Sequence, residues 1–294
     1  MKIKQAVITA AGFGSRFLPI VKSIPKEMLP IVDKPIIQIL VEECFAAGIE
    51  EVIIVVRKGN NLIRDYFERE VPEIKALLQS QGKMDRYAEV DKVLNMKGIK
   101  IIEQFEELPY GNGSPIVSAK EHLNPEGHFA VLFGDDLVLS EGKGALAQLV
   151  DLFENIECDG ITSVQEVTRA EIKKYASVAI KEGQKFDNYG QIEYLIEKPE
   201  PDQAPSTLAS YGRFIFSSKF FDYLTPDKTG KDDELWLQDA ANEFAKNYKY
   251  LYKIVDGEWV TTGDPFNYFQ ALMKYYLAHP KLGEDIKELI DVEK

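Results

Sequence analysis

Along the first half of the chain, short and wholly apolar runs alternate with longer stretches whose apolar residues recur at helical spacing. Ala6-Val7-Ile8-Thr9 predicts a buried strand, as do Glu51–Val56 (EVIIVV), Ile99–Glu103, Phe129–Phe133 and Gly160–Val167. Between them, PIIQILVEECFAA at Pro35–Ala47 predicts an amphipathic helix stopped by Gly48. Asn60–Phe67 predicts a short helix capped by Asn60 or Asn61, and the charged segment up to about Met96 is expected to be helical. A helix opens at Pro115 and another spans Ala145–Phe153. Strand and helix in alternation mark parallel βαβ units, whose ligands lie off the carboxyl ends of the strands.

Beyond Val167 the pattern changes. Short strands at Ser177–Ile180, Gln191–Ile196 and Ala209–Phe216, with turns between them, predict an antiparallel portion beside the parallel sheet. Helices are expected at Lys219–Leu224, at about Trp236–Lys246, at Pro265–Leu277 and in the tail. No internal repeat or low-complexity linker divides the chain.

The first strand empties into Ala10–Pro30, AAGFGSRFLPIVKSIPKEMLP. Gly12 and Gly14 let backbone N–H groups approach oxygen atoms that a Cβ would keep away. Arg16 and Lys26 supply positive charge and Glu27 follows at once, so the loop suits a polyphosphate at a sheet's edge. A dinucleotide fingerprint needs a further glycine where Phe17 stands, and Pro19 and Pro25 interrupt any helix there. A Walker loop fails as well, because Gly14 is followed by Ser-Arg. The plain alternative is a structural turn, and the charged residues of the loop weigh against it.

Composition narrows the partners. With 294 residues and 45% hydrophobic content the chain can bury a full core, and its formal net charge of -13 lacks the basic footprint of a nucleic-acid binder. Cys44 and Cys158 lie far apart in apolar stretches, which points to buried thiols and not to a disulfide framework. MKIKQ runs straight into a strand and no apolar run reaches membrane length, so a cytoplasmic protein without membrane contact is expected. His122, His128 and His279 are the only histidines, and none has the setting of a catalyst.

Two further strand ends carry candidate chemistry. Gln104 closes the third strand and precedes Tyr110-Gly111-Asn112-Gly113-Ser114, a second glycine-rich turn. The fourth ends in Gly134-Asp135-Asp136, which either begins a turn or offers one carboxylate to the crevice. Asp135 is our choice. A single hard carboxylate beside phosphates suits Mg²⁺, which keeps several waters and takes other ligands from substrate.

These stretches, together with IPKEMLPIVDKP, IEKP at Ile196–Pro199 and YGRFIF at Tyr211–Phe216, resemble the bacterial UTP:glucose-1-phosphate uridylyltransferases (UDP-glucose pyrophosphorylases). Those belong to the wider sugar-1-phosphate nucleotidyltransferases, and the similarity runs from about residue 4 to about residue 278. The resemblance implies a Rossmann-like α/β fold, the nucleotide-diphospho-sugar transferase fold. Its mixed, mostly parallel sheet is flanked by helices and carries a smaller antiparallel sugar-binding portion. One domain over about 1–280 is expected, with a nucleotide-binding half to about 165, a sugar-binding half over about 166–264 and a helical tail at 281–294. UTP and glucose 1-phosphate are the implied substrates, Mg²⁺ the implied cofactor and a homo-oligomer the implied assembly.

By the same resemblance, Ala10, Ala11, Gly12, Gly14, Ser15, Arg16 and Glu27 bind the nucleotide, the Gly12–Arg16 loop holding the triphosphate with Arg16 and Lys26 on phosphates. Gln104 and the backbone at Gly111 read the pyrimidine, and Asp135 binds the metal. Glu197 accepts sugar hydroxyls, Lys198 holds the sugar phosphate, Gly212 packs under the hexose and Tyr175 lines its pocket. There are departures. Thr261 stands where the family commonly has an aspartate, leaving Asp264 as the candidate second metal carboxylate; the sugar pocket reads Tyr175-Ala176; and ELWLQDA brings Trp236 and Gln238. They bear on which sugar is used, and they leave a non-catalytic nucleotide-sugar sensor as the competing class.

Overall fold

The apolar run after Lys4 forms β1 (Gln5–Ala10), in which successive side chains enter opposite layers. Ala6, Ile8 and Ala10 pack on one face of the sheet and Val7 on the other. The computed structural model describes residues 2–292. From β1 the chain passes through three short 3₁₀ turns and a small hairpin, β2 (Pro30–Ile31) with β3 (Lys34–Pro35), into α1 (Ile36–Ala46). β4 (Glu51–Val56) follows, then α2 (Leu62–Glu68), α3 (Pro72–Ser80) and α4 (Met84–Leu94) fill the charged segment. β5 (Ile99–Glu103), α5 (Ser114–Ala119) and β6 (His128–Phe133) complete the parallel part.

The chain continues through β7 (Asp136–Leu139), α6 (Ala145–Asn155), β8 (Gly160–Glu166), β9 (Ala176–Lys185), β10 (Tyr189–Glu197) and β11 (Leu208–Ser217). It ends with α7 (Leu237–Asn247), β12 (Tyr250–Ile254), β13 (Glu258–Thr261), α8 (Pro265–Ala278) and α9 (Gly283–Val292). Nine strands form one mixed sheet in the order β5-β4-β1-β6-β11-β8-β12-β10-β9. The first four neighbours run parallel, and β11 lies antiparallel to both β6 and β8. One core layer takes α1 and α6, and the other takes α5 and α7. Among the described residues no helix is long and apolar enough to cross a membrane.

Register decides where ligands can meet. Ala10 pairs with Val56, Val56 with Glu103, and Thr9 with Phe133. Four parallel strands therefore end level with one another. Ala11, Arg57, Gln104 and the Gly134-Asp135 turn all emerge at one edge, where an open α/β sheet places its ligands.

Besides the small β2–β3 hairpin, four elements differ from the sequence expectation. β7 and β13, absent from it, are four-residue strands that form their own ribbon, with Thr261 opposite Asp136. β12 is inserted between β8 and β10. These pairings join segments distant in sequence, and such short strands carry little periodicity of their own. The expected helix at Lys219–Leu224 is a 3₁₀ turn over Ser218–Asp222. Pro226 disfavours helical backbone at Thr225 and so limits its extension.

Candidate functional site

The phosphate-loop residues wrap a cleft of about 710 Å³ at the level strand ends. Gly14, at φ 63°, turns the chain into the 3₁₀ turn Ser15–Phe17, where the Phe17 N–H donates to the Gly14 carbonyl at 2.8 Å. That turn carries Arg16 to the cleft wall. Ala11, Gly12, Arg16, Lys26, Glu27, Gln104, Gly111 and Asp135 share the cavity, whereas Ala10 is the buried last residue of β1 and lies behind it. Gly12 faces the Lys26 side chain, with room of 3.8 Å between an added Cβ and Lys26 Cε.

Lys26 is largely buried and donates to Asp135 Oδ2, with Glu27 Oε1 3.9 Å away on its other side. Burial alone would lower the Lys26 pKa, but Asp135 and then Glu27 outweigh it and hold the ammonium above its ordinary value. Burial likewise opposes ionisation of Asp135, and Lys26 reverses this so that Asp135 titrates below the usual carboxylate range. Glu27 is 1% exposed, with no hydrogen-bond partner for either carboxylate oxygen among the described residues. Burial pushes it up to about 7, partly offset by Lys26.

Asp135 is fixed through its backbone. Its carbonyl accepts the Thr262 N–H at 2.6 Å and the Thr262 hydroxyl at 2.8 Å, and the Gly134 N–H donates to the Thr9 carbonyl at 3.0 Å. The turn at Gly134-Asp135 separates the two aspartates. Asp136 opens β7 and its Oδ1 accepts the Trp259 indole N–H at 3.0 Å. Burial, and then the charge on Asp135, raise its pKa. Asp264 caps α8, taking the N–H groups of Phe266 and Asn267 on Oδ1 and the Asn267 amide on Oδ2.

A magnesium ion keeps several waters and takes few protein ligands. Asp135 offers one hard carboxylate in the cleft, and among the described residues no group of three or more His, Cys, Asp or Glu side chains is arranged to hold a metal ion. That fits an ion delivered with a polyphosphate, which needs a single protein carboxylate.

At the other end of the cleft, Gly111 has φ 136°, and an added Cβ would lie 2.3 Å from the Leu235 carbonyl oxygen. The glycine turn is clamped to that segment. Leu235 N–H donates to Tyr110, Gly113 N–H to Leu235, and Leu237 N–H to Asn112 Oδ1. Asn112 also reaches Gln238 at 3.2 Å. The same segment places Trp236 in the cavity wall.

Tyr175, Glu197, Lys198 and Gly212 do not line this cavity. Lys198 Nζ stands 4.7 Å from the Trp236 ring centroid and 3.7 Å from Glu197 Oε1. Its backbone is left-handed at φ 46°, and its N–H donates to the Tyr175 carbonyl at 3.0 Å. Glu197 Oε2 is buried without a hydrogen-bond partner among the described residues, an arrangement that suits an incoming hydroxyl donor. Burial raises its pKa. Tyr175 meets Trp259 edge-on at 4.6 Å. Gly212, at φ 118°, lies under Phe133, whose Cδ2 would be 2.9 Å from an added Cβ. Gly212 thus supports the cleft wall through Phe133, which does line the cavity.

Sequence reasoning passed over Phe13, Arg57, Tyr110 and Thr262 as functional positions. Arg57 had a legible signal, since it follows the last residue of β4 at the same edge as Gln104.

The family model described as nucleotidyl transferase matches residues 5–277. A UTP--glucose-1-phosphate uridylyltransferase of Staphylococcus epidermidis is 37% identical over 292 residues, covering 98% of each chain. Among solved structures, a UTP-bound UGPase from Acinetobacter baumannii aligns with a TM-score of 0.86 at 29% identity over 98% of each chain. A UDP-glucose pyrophosphorylase complexed with UDP-glucose aligns at 0.80 and 32% identity, covering 93% of this chain and 98% of its own. With a family match that spans nearly all of its length and a cleft where Arg16, Lys26 and Asp135 meet the glycine loop, this chain belongs to the nucleotidyl transferase family.

Proposed function

We propose that the protein transfers a uridylyl group from UTP to glucose 1-phosphate, forming UDP-glucose and pyrophosphate. The observation that carries this reading is the meeting of Arg16, Lys26 and Asp135 with Gln104 and Gly111 in one cleft. Support for the substrate pair comes from the relatives' names and from the UTP and UDP-glucose bound by two structural neighbours.

A phosphate oxygen of the sugar phosphate attacks the α-phosphorus in line; the bond from that phosphorus to the bridging oxygen breaks, and pyrophosphate leaves with the electron pair. The nucleophile is already ionised at neutral pH, so the reaction asks the protein for position and charge and not for a base. Arg16 and Lys26 offset the charge of the triphosphate. Lys26 can do so because its contact with Asp135 is exchanged for one with a phosphate. Asp135 is the residue that would hold Mg²⁺, which when bound offsets charge on the reacting phosphates. Gln104 and the Gly111 backbone hold the base, and Glu197 and Lys198 hold the sugar phosphate. In the free protein Lys198 is seated against Trp236, which lines the cleft, and this supports an acceptor site beside the nucleotide.

Pyrophosphate release from a panel of nucleoside triphosphates and hexose 1-phosphates tests the pair. UTP with glucose 1-phosphate is expected to give the highest kcat/KM, and a better result with any other pair overturns the specificity. Robust release with any pair rejects a non-catalytic sensor. Lys198→Ala is expected to cost about 1.5–3 kcal/mol in use of the sugar phosphate, the worth of a charged hydrogen bond. The loss should appear in the KM for glucose 1-phosphate while the KM for UTP stays in place; equal losses in both would remove Lys198 from the acceptor site.

A further inference from the structure

Three large aromatic side chains stand exposed around the opening of the cleft: Phe13 at 57%, Tyr110 at 60% and Phe105 at 40%. Apolar rings left in water are costly in bulk, and a group of them rimmed by polar residues marks a place where something binds. Phe13 and Tyr110 face each other across the glycine loop and the Gly111 turn, with centroids 6.4 Å apart and planes tilted by 31°. Arg57 lies over the Phe13 face, its Cζ 4.7 Å from the ring centroid.

The two cations that follow β4 differ in how they are held. Lys58 is paired with Glu106 at 2.5 Å on the exposed rim. Arg57 rests on an aromatic face instead. A guanidinium stacked by its plane keeps its N–H groups pointing outward along its edge, where they remain able to donate to in-plane acceptors. Because Val56 pairs with both Ala10 and Glu103, Arg57 leaves the sheet between the phosphate loop and Gln104. It also lines the same cavity as Arg16 and Lys26.

We propose that Arg57, held in place by stacking on Phe13, is a third phosphate-binding cation of the cleft and sets the affinity for the nucleoside triphosphate through its phosphate chain. This rests on the nucleotidyl-transfer reading of the cleft and adds to it a residue outside the glycine loop. Phe13 acts as a positioning residue: it presents Arg57 over the cleft through a ring contact, within electrostatic reach of the buried Glu27.

Binding of UTP and of uridine to the wild type and to Arg57→Ala, Arg57→Lys and Phe13→Ala, measured by calorimetry, tests the proposal. Arg57→Ala is expected to weaken UTP about tenfold, as for one charge-assisted hydrogen bond, and to leave uridine within twofold. Arg57→Lys should recover only part of the loss, because an ammonium lacks the stacking plane and the fork. Phe13→Ala should weaken UTP about threefold and abolish most of the difference between arginine and lysine at position 57. In turnover the loss belongs to the KM for the triphosphate, with the KM for the sugar phosphate held. UTP affinity within twofold of wild type in Arg57→Ala overturns the proposal, and so does an equal loss for UTP and uridine, which would make Arg57 a reader of the nucleoside. Should the wild type prefer another triphosphate, the substrate pair proposed above fails while the Arg57 test is run unchanged on that triphosphate.

Discussion

Asp135→Asn is expected to lower turnover by a factor of about 10²–10³, the scale seen when one group that offsets transition-state charge is removed. The substitution preserves shape. The two Thr262 hydrogen bonds go to the Asp135 carbonyl, so the turn that presents the side chain remains clamped. What changes is charge. Lys26 loses the carboxylate that accepts its proton-bearing nitrogen and keeps Glu27 at 3.9 Å. One negative group next to the triphosphate is gone, and a cation that was tied to it becomes available. UTP binding in the absence of divalent ion should therefore stay as tight as in the wild type or tighten, while the response of turnover to added Mg²⁺ collapses. That split separates a metal carboxylate from a merely structural one. Turnover that remains fully Mg²⁺-dependent in the variant removes the metal assignment. Loss of UTP binding together with turnover makes Asp135 a structural support of the cleft instead.

The parts of this site that could be read from sequence are those tied to strand ends. Apolar runs mark the ends of β1, β5 and β6 closely, so the sequence alone puts Ala11–Arg16, Gln104 and Asp135 at strand ends. Asp135 was chosen over Asp136 by strand alternation, and the structure separates them differently: one lies in a turn and the other begins β7. The ribbon of β7 and β13 escaped notice because each strand is four residues long and its partner lies some 120 positions away, as Thr261 and Asp136 show. Thr262, which fixes the Asp135 carbonyl, follows that ribbon directly. Arg57 is legible only by its position one residue past β4, not by its chemistry. A cation after an apolar strand looks like an ordinary solvated residue until the ring of Phe13 is seen beneath it. Asp264 shows the reverse. A carboxylate before Pro265 is what a helix N-cap requires, and its oxygens accept three donors there.

Arg213 presents the largest expected effect on stability. It sits inside β11, every residue of which is buried, and it is itself wholly inaccessible. Its Nε donates to Glu43 Oε1 at 2.9 Å, its Nη2 to Glu43 Oε2, and its Nη1 to the Asp136 carbonyl at 2.8 Å. Glu43, on α1, also accepts the Leu146 N–H at 3.0 Å in the first turn of α6. One ion pair thus ties α1, α6, β11 and the aspartate turn together, and Arg213 is held at φ 120°, a backbone that costs a non-glycine residue about 1–3 kcal/mol. Arg213→Met should destabilise the protein by about 3–5 kcal/mol, because Glu43 is left as a buried charge without its partner. Glu43→Met should cost a similar amount. The double variant is the informative one: with both charges gone, much of the penalty disappears, and the unpaired Leu146 N–H and Asp136 carbonyl account for what remains. Chemical denaturation of the four proteins gives the coupling directly. Coupling below about 0.5 kcal/mol would mean that the pair is not the unit of stability described here. Below its unfolding range, the double variant should also turn over more slowly than the wild type, since the Asp136 carbonyl, one residue from Asp135, has lost the donor that holds the turn in place.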